Sequence, residues 1–197
     1  MTFDLLTALA AFAFVSSITP GPNNLMLMAS GANFGFRQSI PHMLGIGIGF
    51  VFMVMLVGAG LAQVFTAFPV SHTILKGASV VYLLYLAWKI ANAAPIKEGA
   101  TSGTPMTFLQ AAAFQWVNPK AWTMALTAVT VYTPDTSLWA IMAVALVFGA
   151  INLPSVSAWT LLGQQMARVL TNRARMTAFN WTMATLLVAS LYPVIFP

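Results

Sequence analysis

The stretch Ser17-Ile-Thr-Pro-Gly-Pro-Asn-Asn24 interrupts an apolar run that would otherwise cross a bilayer as one helix. Pro20 and Pro22 each lack a backbone N–H, and Gly21 is conformationally free, so no regular helix passes through. Thr19, Asn23 and Asn24 place side-chain donors and acceptors beside the freed backbone groups. In lipid such an interruption is tolerated only where protein or a water-filled cavity covers it. A second interruption, Asn118-Pro119-Lys120, cuts another apolar run. Pro20 and Pro119 are separated by about half of the 197-residue chain.

Composition sets the solvent. The chain is 59% hydrophobic and 6% charged, with a mean hydropathy of +0.85. Soluble domains carry roughly 25% charged residues. The expected fold is an all-α integral membrane protein, a single transmembrane domain over 1–197 whose first partner is the lipid bilayer. There is room for about six spans of roughly 20 residues. The net charge of +5 is spread along the chain and fits loop positions rather than a nucleic-acid surface. With no Cys, disulfides, thiolate chemistry and iron–sulfur clusters are excluded. Met1 to Ser17 lacks a basic leader region and holds Asp4, so it reads as the first span rather than a cleaved signal peptide.

The predicted spans are about 3–30, 41–65, 70–92, 107–132, 137–162 and 177–196, with the first broken at Pro20–Pro22 and the fourth at Pro119. Gly31 to Ser39 reads as a turn-rich loop holding Arg37. The segment 94–105, with Lys97 and Glu98, reads as a flexible link between halves of about 1–93 and 106–197. Gln164 to Met176 holds Arg168, Arg173 and Arg175. Two three-span halves in sequence must lie upside down relative to each other, and such inverted repeats place a substrate near the bilayer midplane where paired breaks meet. Arg37, Lys89, Lys97, Arg168, Arg173 and Arg175 share one face. The other carries Lys76 with Asp4 and Asp135. The six-charge face is expected in the cytoplasm and both termini outside.

Pro22 suits the first position of a new helix. Thr19 or a nearby polar group is expected to cap it, leaving the amides of Asn23, Asn24 and Leu25 as an anion site for a carboxylate. A lone proline reads as a packing kink. Two around a glycine, followed by two asparagines, point to a lined cavity. Lys120 is the one charge well inside a span, where an ionisable group is costly and functional by default. It pairs with a carboxylate or gates by its protonation state. Snorkelling to an interface is the alternative, and its place directly after Asn118-Pro119 argues against that. Asn152, near Pro154 in span five, either lines the cavity beside another break or bonds a neighbouring helix. The expected substrate-binding set is therefore Thr19, Pro20, Gly21, Pro22, Asn23, Asn24, Asn118, Pro119, Lys120 and Asn152.

Other residues read as structural. Gly45, Gly47 and Gly49 suit close helix packing, and Met26, Met28, Met53 and Met55 suit the interior. Trp88, Trp139 and Trp159 read as interface anchors, and Lys76 and Lys89 as snorkelling cations. His42 and His72 are single and near loops. No HExxH, no paired carboxylates and no Ser/His/Asp set are present, so neither catalysis nor a metal or other cofactor is expected. With no nucleotide motif, a secondary carrier or a pore is left. The competing readings are a membrane-embedded enzyme, disfavoured by the missing groups, and a non-transporting subunit. A homo-oligomer is compatible with either.

Thr19-Pro-Gly-Pro-Asn23, Gly35-Phe-Arg37, Leu86-Ala-Trp-Lys89 and Asn118-Pro-Lys120 together resemble the LysE/RhtB family of amino-acid exporters. The resemblance covers essentially the whole chain in length, span number and motif order. The wording around Pro-Gly-Pro-Asn-Asn and Gly-Phe-Arg-Gln is similar to the branch that exports cysteine and O-acetylserine. The resemblance implies a bacterial inner-membrane carrier that expels amino acids, with the proton as coupling ion. One departure bears on the substrate. Many relatives place an Asp shortly after the Gly-rich start of span two, where this chain has Phe50. That disfavours a basic substrate such as lysine and favours a neutral hydrophilic amino acid.

Overall fold

A computed structural model describes residues 1–93, 104–133 and 137–196. Helix α1 (Phe3–Ile18) is capped by the Thr2 hydroxyl, which accepts the Leu5 amide at 3.3 Å. Three residues, Thr19 to Gly21, then run outside any helix. Helix α2 (Pro22–Leu56) starts on proline and folds back on itself at Gly35, whose φ of 78° is the left-handed conformation glycine adopts without strain. The reversal is visible in Ser30 and Ser39. Nine residues of straight helix would separate them by about 13 Å, yet their hydroxyls lie 2.8 Å apart. A π-helical turn (Val57–Leu61), α3 (Gln63–Ala67) and α4 (Val70–Ala91) follow.

Helix α5 (Phe108–Phe114) opens on a capping box between Thr107 and Gln110. A 3₁₀ turn (Gln115–Val117) leads to Asn118, and α6 (Pro119–Tyr132) again starts on proline. Then come α7 (Leu138–Ala167), α8 (Arg173–Ala189) and α9 (Tyr192–Ile195).

Among the described residues four helical stretches are long and apolar enough to cross a membrane: Pro22–Leu61, Val70–Ala91, Leu138–Ala167 and Arg173–Ile195. Phe3–Ile18 is a shorter apolar helix. Large apolar side chains such as Phe14, Ile48, Val81 and Leu146 point outward, which water would penalise and acyl chains would not. The chain is an all-helical, multi-pass membrane protein.

The sequence expectation for Gly31 to Ser39 is corrected. Both flanks stay helical and Gly35 alone makes the turn. The tract Gln164 to Met176 is also mostly helix, since α7 continues to Ala167 and α8 begins at Arg173. Nor does Pro154 break span five. It lies on the exposed side within α7. Most of the 94–105 link, with Lys97 and Glu98, and Asp135 lie outside the described residues.

Two apolar cores form, and the breaks lie between them. One gathers Met26, Leu27, Ile46, Leu83, Phe114 and Met183. The other gathers Leu9, Phe50, Met53, Trp122, Ala125 and Phe148. Helices α2 and α7 cross in backbone contact. A Cβ on Gly31 would land on the Thr160 carbonyl, and one on Gly163 on that of Met28. Gly45 and Gly49 likewise press on Phe108 and Ala112 of α5, as the glycine stripe suggests. The polar residues Ser17, Asn24, Gln115, Asn118 and Asn152 are buried where the cores meet.

At one end of the bundle, Asn33 donates to Asn180 at 2.9 Å, and Asn180 donates to the Ala93 carbonyl at 3.2 Å. The Phe36 amide donates to Gln164 Oε1 at 2.6 Å. These bonds tie the Gly35 turn to the ends of α4 and α7 and to α8, gathering Arg37, Lys89, Arg168, Arg173 and Arg175 there. At the opposite end Lys76 donates to the Ile195 carbonyl at 3.3 Å.

Candidate functional site

The chain leaves α1 at Thr19 in extended conformation and enters α2 at Pro22. The carbonyls of the last turn lose their helical partners here, and side chains replace them. Asn24 Nδ2 donates to the carbonyls of Ser17 and Thr19, both at 2.8 Å. Trp159 Nε1, from the middle of α7, donates to that of Ile18 at 3.0 Å. Trp159 is therefore a support for the break rather than an interface anchor. Thr19 does not cap α2 either. Gly21 holds the N-cap position with no side-chain bond, and the Thr19 hydroxyl donates back to Ser16 at 3.2 Å. Of the amides expected for an anion, Leu25 donates to the Gly21 carbonyl at 3.0 Å.

The second break is tighter. Asn118 alone is non-helical, and its Oδ1 accepts the Lys120 amide at 3.1 Å, capping α6. Lys120 then reaches across to the first break. Its ammonium donates to the Thr19 carbonyl at 2.8 Å, the Thr19 hydroxyl at 3.0 Å and the Pro20 carbonyl at 3.3 Å. A second bridge joins Asn23 and Gln115, whose side-chain amides exchange bonds of 2.9 and 3.2 Å. A Cβ added to Gly21 would stand 2.6 Å from Lys120 Cδ. The φ of Gly21 is −175°, open to any residue. Glycine is needed here for the approach of Lys120, not for backbone freedom.

Two cavities flank Lys120. The larger, of about 520 Å³, is lined by Pro20, Gly21, Pro22, Pro119 and Lys120, and extends to His72, Lys76 and Ser190 at the opposite end from the arginines. The smaller, of about 20 Å³, is lined by Gly21, Asn23, Asn24, Asn118, Lys120 and Asn152, and has room for about one water. Nine of the ten residues expected from sequence line one or the other, and Thr19 holds the Lys120 ammonium. Asn152 does bond a neighbouring helix, donating to Ser17 Oγ at 3.2 Å. Its Oδ1 is buried without a partner.

Sequence reasoning missed Ser17, Gln115 and Trp159. Gln115 was visible as a lone amide in an apolar run three residues before Asn118. Trp159 was not, because its role depends on α7 extending past 162. His42, read as near a loop, is 2% exposed within the second arm of α2. Among the described residues no cluster of three metal-ligating side chains occurs.

A family profile described as LysE type translocator matches residues 14–191. The chain is similar to the cysteine/O-acetylserine efflux proteins of Escherichia coli strain K12, Escherichia coli O9:H4 strain HS and Shigella sonnei strain Ss046. Each is 32% identical over 191 residues, covering 95% of this chain and 96% of the relative. No solved structure matches the chain.

Proposed function

The chain belongs to the LysE-type translocator family, and on that premise we propose that it exports a small neutral hydrophilic amino acid, or a derivative of one, by alternating access. It is a transporter rather than an enzyme. Relatives named for cysteine and O-acetylserine efflux support that substrate class. The observation that carries the mechanism is the Lys120 ammonium, sent from one helix break onto the carbonyls of the other at a cavity wall.

An ammonium has three donors, and here all three rest on Thr19 and Pro20. A substrate carboxylate offers a charged acceptor, and charge-assisted bonds are roughly twice as strong as neutral ones. Loading therefore moves Lys120 from the carbonyls to the carboxylate. The carbonyls freed at Thr19 and Pro20, with Asn152 Oδ1, then face the substrate ammonium. A zwitterion satisfies both halves of the exchange. A basic substrate would bring a second cation with no carboxylate to meet it.

The rest of the reading follows from the placement of the breaks. Helices 3–18 with 22–34, and 108–117 with 119–132, act as two broken spans in a six-span fold of inverted three-span halves, and rocking of one half exposes the site to either side. The protein sits in a bacterial inner membrane with the arginine-rich end in the cytoplasm and both termini outside. A proton drives export, and Lys120 is the in-span group whose protonation sets the latch. Both breaks belong to one chain, so the site is the same in a monomer and in a homo-oligomer. The test is counterflow of O-acetylserine, cysteine and other neutral amino acids in proteoliposomes, with and without a pH gradient. Accelerated uptake of a neutral amino acid, enhanced by the gradient, is expected. Liposomes that move none of them would overturn the proposal.

A further inference from the structure

A third cavity, of about 260 Å³, lies at the arginine-rich end. The first arm of α2 lines it with Met26, Ser30 and Asn33, the second arm with His42, and α4 with Leu86 and Lys89. Ser30 bonds to Ser39, and Asn33 bonds to Asn180 and the Ala29 carbonyl. Those polar groups are already matched. His42 is not. It is 2% exposed, and neither ring nitrogen has a hydrogen-bond partner. A buried polar group without a partner is unusual and costly. Lys89 is partly buried on the same cavity, in the last turn of α4.

His42 and Lys89 line one cavity, and once a ring nitrogen of His42, closed off in this conformation, turns toward it, an imidazole and an ammonium are a donor set for a carboxylate. No acidic residue is among the described residues that line this cavity, which argues against a cation. The apolar remainder, Met26, Leu86 and Met106, accepts a small side chain. This cavity and the one at the breaks share no lining residue, yet the same two helices border both. Pro22 lines one and Met26 the other. On α4, Ser79 lines one and Leu86 the other, about 10 Å along the axis. Leu83, fully buried, closes the layer between.

We propose that the His42–Lys89 cavity is a second amino-acid site, a waiting site that binds the substrate carboxylate before it reaches Lys120. This deepens the exporter reading and rests on it. The chain has no Cys, so a single introduced thiol is the only one labelled. Asn92→Cys places it on the cavity rim and Thr123→Cys on the cavity at the breaks. Labelling by a methanethiosulfonate reagent is timed in the full-length reconstituted protein with O-acetylserine, which has no thiol to consume the reagent. O-acetylserine is expected to slow labelling of Asn92→Cys at least threefold, and its carboxylate methyl ester is not. Protection is expected to vanish with Lys89→Met or His42→Phe, and to persist with Lys89→Arg, His42→Gln and Lys120→Ala. Unprotected labelling of Asn92→Cys, or equal protection by the ester, overturns the waiting site. Counterflow, or protection at Thr123→Cys, measured alongside shows whether the exporter reading stands without it.

Discussion

The two breaks solve the same problem in opposite ways. The break at Thr19 to Gly21 is three residues wide and has no side-chain cap of its own. Of the exposed carbonyls, Asn24 takes those of Ser17 and Thr19, Trp159 of α7 takes Ile18, and Lys120 of α6 takes Thr19 and Pro20. The break at Asn118 is one residue wide, and Asn118 caps α6 itself. A break satisfied in part by other helices, here through Trp159 and Lys120, depends on where those helices stand, whereas one capped by its own side chain travels with its helix. The first is thus a patch of acceptors open to exchange, and the second is a rigid arm carrying a cation to it.

The comparison breaks outright if the cation is dispensable. Lys120→Ala is expected to lower counterflow in proteoliposomes at least a hundredfold while membrane insertion and helix content stay unchanged. Unaltered export from this variant would remove Lys120 from the site. Gly21→Val is next. Its branched side chain starts where a Cβ already meets Lys120 Cδ at 2.6 Å, so it displaces the arm while leaving the backbone relaxed. At least a tenfold loss is expected. In the double variant with Lys120→Ala the loss should be no greater than for Lys120→Ala alone, because the two changes act on one contact. Additive losses would show that Gly21 serves the backbone instead.

What the sequence made legible follows from which signals are local. Both breaks stand out because proline and asparagine inside an apolar run have no packing explanation. That they meet is what the inverted-repeat reading expects, but the contact that joins them is not legible, since the reach of Lys120 to Thr19 spans about a hundred positions and depends on helix packing. Gly31 to Ser39 looked like a loop because Gly, Asn, Arg, Gln and Ser crowd together. One glycine in a left-handed conformation suffices for the turn, and the polar residues stay on helix. That shortening carried His42 from an expected loop edge to a buried wall. Asn152 was ambiguous for a physical reason, since an amide has two ends. Nδ2 makes the neighbour bond, while the residue also lines the smaller cavity and its Oδ1 is buried without a partner.

Asn152→Leu separates those ends. The change removes an acceptor that is already unpaired, but it also takes from the buried Ser17 Oγ the donor that meets it, a cost of about 1–3 kcal/mol. Thermal unfolding in detergent is expected to shift by no more than that amount, while counterflow falls several-fold through loss of the acceptor for the substrate ammonium. A strongly destabilised variant with normal transport would make Asn152 purely a tie to Ser17.

Asn118→Ala should have the smallest effect, and its size tests the contrast between the breaks most finely. The change removes one capping bond, worth about 1 kcal/mol at a helix N-terminus, and leaves Pro119 to hold the first helical position. The carbonyls of the other break keep Asn24, Trp159 and Lys120 as donors. If α6 is a self-contained arm, stability drops by about that single cap and counterflow by no more than about twofold. If instead this break also depends on its neighbours, the loss spreads to the Lys120 latch, and transport falls as steeply as in Gly21→Val. Measuring the two variants side by side in the same liposomes therefore decides whether the two breaks differ in kind or only in width.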